Sequence, residues 1–460
     1  RGVRTMPLLF HPADPTVLLF ATNVLWKTTT GGDDWEIISP DLSNPQPDVP
    51  ESIGDFRTPE MATMARRGVI YAVGPSPLDV ATIWAGTDDG LIHVTRDGGV
   101  TWSDVTPPQL RAWDKVSQID AGHFDVNTAY VAINAIRRDD MRPHVYRTHD
   151  GGASWQYIVA GMHEMGPVNV VREDPEQPGL LFAGTERQVY FSIDDGDSWQ
   201  SLRQNMPATS IRDLVVHEND LVIGTHGRSI WILDGIAPLR QLAEAAAAAA
   251  AGDPYLYAPD VATRVRWNMF SDTPLPPEEP AGENPPDGAI LDYYLPASVK
   301  DVTIEIFDAE GRSVARFTNT DPVENLDPSG MAYPTYWIRP PQIVSTEAGH
   351  HRFVWDMRHA APPGARRSHS IAAVHGRTPS GPHGPFAAPG SLTVRLIVDG
   401  GVIERPLVVR LDPRVEISDS DLAMQTEYSM LTYDVYLELQ GMRDAVDAML
   451  ATDGLAADRR

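Results

Sequence analysis

The chain has 460 residues, 42% of them hydrophobic and 22% charged, which suits two or three folded domains with their own cores. A formal net charge of −26 argues against a nucleic-acid partner, since phosphate binding needs clustered Lys and Arg. The absence of Cys removes disulfides, thiol catalysis and thiolate metal sites, and no apolar run approaches the roughly 18 residues of a membrane-spanning helix.

The first half is a repeat. The phrases TTTGGDDW, TRDGGVTW, THDGGASW and SIDDGDSW end at Trp35, Trp102, Trp155 and Trp199, spaced 67, 53 and 44 residues apart. Spacing of this size marks a modular array. Each unit runs strand, Pro/Asp turn, strand, short turn, strand, Asp-Gly turn and a last strand opening on Trp. GVIYAV, TIWAGT, LIHVT and TWSDV give four short strands in the second unit. A fifth unit, IRDLVV through LVIGTHGRSIWILDG, lacks the Asp-Gly turn. Four antiparallel strands repeated radially predict a β-propeller with five visible blades. Propellers hold four to eight blades, and the chain opens at Arg1 without Met or a signal-like segment. Further blades are therefore expected from a preceding segment or another chain.

The repeated phrase reads as scaffold. In Asp97, Asp150 and Asp194 a carboxylate can take turn N–H groups, Gly supplies positive φ, and Trp35, Trp102, Trp155 and Trp199 can bury a face between blades. The first copy replaces the Asp with Thr30. The pattern S/T-x-D-x-G-x-S/T-W resembles the Asp-box, or BNR, motif of sialidases, xyloglucanase-type glycoside hydrolases and sortilin. IWAGTDDGLIHVTRDGGVTW, LVIGTHGRSIWILDGIAPLRQL, GHHRFVWDMR and APGSLTVRLIVDG resemble large bacterial sortilin-like proteins described as BNR-repeat glycosyl hydrolases. This resemblance implies either a binding propeller or a carbohydrate-acting one. The early Arg-Ile-Pro motif of sialidases is matched only by FRTP at 56–59, placed after the first Asp-box instead of before it.

If Asp-Gly turns join strands three and four, they share a face with the strand one-to-two turns. The opposite face then collects the two-to-three turns and the interblade loops. Carboxylates Asp88, Asp89 and Glu186 are the catalytic candidates there, since glycoside hydrolysis uses a pair of acids. Ligand-binding candidates on the same face are Arg57, Glu60, Trp113, Asp114, Arg137, Arg138, Glu164, Arg187, His226 and Arg228. The competing reading makes the DDG at 88–90 a plain turn and pairs Glu186 with an Arg.

After the propeller (1–237), PLRQLAEAAAAAAAG predicts a connecting helix ending at Gly252, and PLPPEEPAGENPPDG a Pro-rich loop (238–287). ILDYYLP, VTIEIFD, SVARFTN, HRFVWDM, LTVRLIVDG and ERPLVVRLD predict an antiparallel β-sandwich of immunoglobulin or fibronectin type over 288–413. The tail, 414–460, has apolar residues at helical spacing, with Ser418 or Ser420 suited to cap it. The His residues between 350 and 383 match no ligand spacing, so neither metal nor cofactor is expected. The sequence thus favours an extracellular or periplasmic propeller binding a carbohydrate or peptide, with a glycoside hydrolase or an assembly component as rivals. An assembly role would leave an apolar patch on the tail helix.

Overall fold

A computed structural model describes residues 1–452 except positions 47–48, 50, 60–65, 266–281, 283, 324–325, 327, 332, 366–367 and 370–379. Two compact units divide the chain, Arg1–Arg240 and Gln241–Arg460.

The first unit is a succession of antiparallel sheets in chain order. Blade 1 holds β1 (Leu8–His11), β2 (Asp14–Ala21), β3 (Leu25–Thr28) and β4 (Glu36–Ile37). Blade 2 holds β5 (Ile70–Pro75), β6 (Ile83–Thr87), β7 (Ile92–Thr95) and β8 (Ser103–Asp104). Blade 3 follows with β9 (Lys115–Ala121), β10 (Ala129–Asn134), β11 (His144–Thr148) and β12 (Gln156–Tyr157). Blade 4 comprises β13 (Val168–Glu173), β14 (Leu181–Thr185), β15 (Val189–Ser192) and β16 (Gln200–Ser201). Blade 5 has three strands, β17 (Ser210–His217), β18 (Asp220–His226) and β19 (Ile230–Leu233). These are propeller blades, with the third strand of the fifth unit ending where the others turn on Asp-Gly.

Apolar side chains from both faces of each sheet fill the gaps between neighbours. Leu19 and Leu25 meet Ile70 and Ile83, Trp84 and Ile92 meet Val116 and Val131, and Ala132 and Val145 meet Val168 and Leu181. First strands stand side by side: a Cβ on Gly74 would lie 3.0 Å from Ile119, and Arg172 of β13 reaches Asp120 of β9 and the Leu214 carbonyl of β17. Gly in the second strand permits this approach. A Cβ on Gly86 would sit 2.2 Å from Val116, and one on Gly184 2.5 Å from Ile211.

The Asp-Gly turns are built as the sequence suggests, each from its own side chains. Thr95 donates to Asp97 at 2.8 Å and accepts the Gly99 N–H at 2.9 Å, while Asp97 takes the Thr101 N–H at 2.9 Å and its hydroxyl at 2.6 Å. Asp150 and Asp194 repeat the pattern with Ser154 and Ser198. Hydrogen bonds from Thr101 and Thr95 hold Asp97 down to about 2, and those from Ser154 and Thr148 do the same to Asp150. In the first copy, Thr30 accepts the Asp34 N–H in place of the missing carboxylate. Each later Trp then ties its blade to the one before. Trp102, Trp155 and Trp199 donate Nε1–H to the carbonyls of Ile38, Val105 and Ile158, at 2.8, 2.7 and 2.9 Å. Trp35 is 38% exposed and packs edge-on against Phe20.

In the second unit, Leu242–Ala251 is a helix closed by Gly252 in the left-handed region. It is not continuous with Ala237–Arg240, a correction to the single connecting helix read from sequence. Gln241, at φ −106°, breaks the run. A five-stranded sheet orders Ala262–Arg264, Gly401–Leu411, Gly390–Val398, Val302–Phe307 and Ser313–Thr318. A three-stranded sheet orders Tyr255–Leu256, Ala289–Leu295 and Gly349–Trp355, and the two share a core around Tyr293, Trp355, Ile304 and Val394. This is the sandwich, with one departure: Ala262–Arg264 pairs parallel to Gly401–Leu411. That short strand has no strong apolar alternation, so sequence gave no sign of it. Ser418 caps the helix Asp419–Thr452, accepting the Asp421 N–H at 3.1 Å.

Candidate functional site

The two faces of the propeller are set by hydrogen bonds between turns. Gly98, Gly151 and Asp195 of the Asp-Gly turns donate to Ala81, Asn127 and Gly179, which lie in the one-to-two turns of the same blades. On the other side, the two-to-three turns bond the interblade loops: Trp113 N–H to Asp89, Glu186 N–H to Pro167 and Thr209 N–H to Arg187. A cleft of about 690 Å³ opens at this second face. Its size is that of a small-molecule or oligomer site.

Four inner strands share one device beside the cleft. Pairing of β5, β9, β13 and β17 with their neighbours slips by one residue near the start of each strand, at Tyr71, Ser117, Asn169 and Arg212. Such a bulge leaves one residue outside the ladder and redirects its side chain. Tyr71 and Arg212 line the cleft directly. Asn169 instead holds another residue there, donating to Glu186 at 3.0 Å and to the Ile211 carbonyl at 2.9 Å while accepting from Asn134 at 2.8 Å. Glu186 also pairs with Arg212 at 3.1 Å. Both its neighbours fix its orientation, leaving it an acceptor positioned for a ligand hydroxyl or amide.

Cations outnumber anions on these walls. Lys115, Arg137, Arg187 and Arg212 line the cleft, and Glu186 is the only carboxylate among its described lining residues. Arg137 is held by the carboxylate and carbonyl of Asp88 at 2.9 and 3.0 Å and lies over the Trp113 ring at 5.6 Å. Lys115 sits 4.4 Å above the Tyr71 ring. Neither Lys115 nor Arg187 has a carboxylate within ion-pair distance among the described residues. Burial pushes the Tyr71 phenol up, but hydrogen bonds from Thr5 and Lys115 with the charges of Lys115 and Arg137 outweigh it and leave it below its ordinary value. The local field is positive in an acidic chain.

Of the residues singled out from sequence, Arg137, Glu186 and Arg187 line this cleft. Asp88 and Asp89 do not. Asp88, 5% exposed, accepts the Val69 N–H and the Arg137 guanidinium; Asp89, fully buried, accepts the Thr87 hydroxyl at 2.6 Å and the Asn44 N–H at 2.9 Å. Burial pushes the Asp89 carboxyl up against those two hydrogen bonds. Asp114 is likewise buried, bonded to Arg138 at 2.8 Å and to the Arg111 N–H. The geometry thus gives Asp88, Asp89 and Asp114 to the loops of this face and leaves Glu186 without a carboxylate companion among the described residues of the cleft. Arg57, Glu164, His226 and Arg228 are exposed and lie outside the cleft lining, and Glu60 lies outside the described residues. Lys115, in the interblade loop QLRAWDKVSQ that the sequence assigns to this face, also lines the cleft, whereas Tyr71, Asn169 and Arg212 were missed. Alignment of the first strands could have found the bulge series, since Tyr, Ser, Asn and Arg each follow one apolar residue, Ile70, Val116, Val168 or Ile211, at one position. No group of three or more His, Asp or Glu suited to a metal occurs among the described residues.

A propeller with a cationic cleft on the face away from its Asp-Gly turns is the class of protein this geometry defines. No family model matches the chain. An oligoxyloglucan-reducing end-specific xyloglucanase of Emericella nidulans is 26% identical over 104 residues, 22% of this chain and 13% of that protein. Among solved structures, the GH74 xyloglucanase from Xanthomonas campestris matches 51% of this chain and 37% of its own at 18% identity and a TM-score of 0.38. A Niastella koreensis GH74 enzyme matches 51% and 36% at 19% identity and a TM-score of 0.36. The chain therefore spans little more than a third of these solved relatives and about an eighth of the curated one.

Proposed function

We propose that this chain is an Asp-box propeller, acting in the extracellular or periplasmic space, that binds an acidic carbohydrate in the cationic cleft. One observation carries the reading: Lys115, Arg137, Arg187 and Arg212 converge from blades 3, 4 and 5, with Glu186 the lone carboxylate among the described lining residues. Lys115 and Arg187 supply charge that no carboxylate among the described residues neutralises, and a ligand carboxylate can take it with little desolvation cost at the exposed Arg187. Tyr71, Asn134 and Glu186 offer the mixed donors and acceptors that sugar hydroxyls need. Similarity over 104 residues to a protein named for xyloglucan supports a saccharide over a peptide. The sortilin-like phrases keep a peptide as the rival ligand.

Hydrolysis is the second reading, favoured by the same relative. It needs two convergent carboxyl groups about 5–10 Å apart. Glu186 meets half of that requirement, and the burial of Asp88 and Asp89 weakens the other half.

The test is calorimetric titration with oligogalacturonate, the same oligomer methyl-esterified, and neutral xyloglucan oligosaccharides, beside an assay for reducing ends. Binding of the free acid that weakens about tenfold or more in Lys115→Gln/Arg187→Gln supports the proposal, since each lost charge pair costs on the order of 1 kcal/mol. Equal binding of esterified and free acid would remove the anionic part of it. Release of reducing ends, lost in Glu186→Gln, would replace binding by hydrolysis.

A further inference from the structure

The C-terminal helix carries a second apolar face. Asp419–Thr452 is 34 residues, about 51 Å at 1.5 Å per residue. One side rests on its own unit: Tyr433 and Tyr436 donate to the carbonyls of Ala360 and Pro363 at 2.9 and 3.3 Å. The opposite side begins an apolar row at Met424 and ends it at Met449, both exposed. Between them Tyr428, Leu431, Val435, Leu439, Met442 and Val446 continue at steps of three and four residues. At 100° per residue the whole row falls within an arc of about 80°. Tyr428, Leu431, Leu439, Met442 and Met449 are 60, 57, 60, 62 and 67% exposed. Scattered apolar surface needs no explanation, but a continuous seam of this length marks an interaction site.

Charge identifies the occupant. Glu427, Asp434 and Glu438 are exposed and border one side of the row, and Arg443 is the only basic residue in the helix. A second copy would bring that single Arg against three acids. A helix with an apolar seam and Lys or Arg at the flanking positions would bury the row and neutralise its border together.

We propose that this face binds a basic amphipathic helix, packed along the row from Met424 to Met449, independently of the propeller cleft. The side chains that would be buried are those now exposed, so removing them leaves the inner contacts of Tyr433 and Tyr436 in place.

The experiment uses the full chain and two synthetic amphipathic helices with the same Leu seam, one flanked by Lys and one by Glu, followed by fluorescence anisotropy. Expected is binding of the Lys-flanked peptide at least about tenfold tighter than the Glu-flanked one. That gap should narrow between about 0.05 and about 0.5 M salt, where screening removes the flank contribution but not the seam. Leu431→Glu/Leu439→Glu should abolish binding while circular dichroism and thermal unfolding stay as in the wild type. Equal affinity for the two peptides, or none for either, overturns the proposal. Sedimentation showing a dimer of the wild-type chain that Leu431→Glu/Leu439→Glu returns to monomer would put a second copy on this face and overturn it as well.

Discussion

Replacing Glu173 by Gln should flatten the loss of propeller stability between weakly acidic and neutral pH. Glu173 ends β13 on the Asp-Gly face, 5% exposed. Its carboxylate accepts the His123 N–H at 2.7 Å and faces the Tyr130 hydroxyl at 3.3 Å, while Tyr130 donates to Asp195 at 2.5 Å. Burial, with the charges of Asp120 and Asp195 nearby, pushes this carboxyl up to about 7 from an ordinary 4.5, against the His123 hydrogen bond. The folded chain therefore holds a proton that the unfolded chain releases near pH 4.5. Stability from this group is complete below 4.5 and is lost as pH rises through about 7. The interval, at about 1.4 kcal/mol per pH unit, corresponds to about 3 kcal/mol. Urea unfolding followed by Trp fluorescence, read at pH 5, 6, 7 and 8, measures it. Eight of the eleven Trp lie in Arg1–Arg240, so the signal reports mainly on the propeller. Wild type should fall relative to Glu173→Gln as pH rises. Parallel curves, or a wild type that gains on the mutant, would refute the reasoning.

Three further outcomes follow from the same geometry. Trp155→Phe removes the hydrogen bond to Val105 and the edge contact with Trp84, and should cost about 1–3 kcal/mol in denaturant unfolding. Gly184→Ala drives a methyl to 2.5 Å from Ile211 and should destabilise by about 1–3 kcal/mol, whereas Gly252→Asn, at an open left-handed helix end, should leave the melting temperature nearly unchanged. On the acid side, Asp97 and Asp150 are held at about 2, so the stability they add is complete above their ordinary 3.8 and lost as pH falls through about 2. Asp97→Asn/Asp150→Asn should show a smaller loss over that range in an acid titration by circular dichroism.

The fold was legible because its determinants are local and repeated. A Thr or Ser, an Asp two residues on, a Gly and a second hydroxyl close one turn through their own side chains, so three full copies and one with Thr30 in place of the Asp announced four blades. The Trp that follows each turn needs only the preceding blade's carbonyl, which alternation of strands supplies. Candidate residues were harder, because their placement depends on pairing register. Asp88 and Asp89 sit in a two-to-three turn like any exposed acidic pair, yet long-range bonds from Asn44, Val69 and Arg137 draw them inward. Tyr71, Asn169 and Arg212 are hidden in strands, and only a slipped register turns Tyr71 and Arg212 toward the cleft and Asn169 toward Glu186.

That slip explains how one repeat serves two purposes. On the Asp-Gly face, variation is resisted: three of the four turns are closed by the same groups, and each later Trp by the same carbonyl position in the blade before. At the bulge the backbone does the same thing in four blades, but the side chain it releases is Tyr, Ser, Asn or Arg. An unpaired residue carries no ladder partner whose packing it must match, so its identity can change without disturbing the sheet. Ser117 shows the limit of this freedom, turning its hydroxyl to the carbonyls of Ala132 and Val168 instead of the cleft. The same backbone geometry therefore yields a wall residue in blades 2 and 5, a positioning residue in blade 4 and a link between strands in blade 3. The bulges thus add Tyr71 and Arg212 to a cleft whose other charged residues, Lys115, Arg137, Glu186 and Arg187, come from a strand start and the two-to-three turns, and the turns that identify the fold lie on the other side of it.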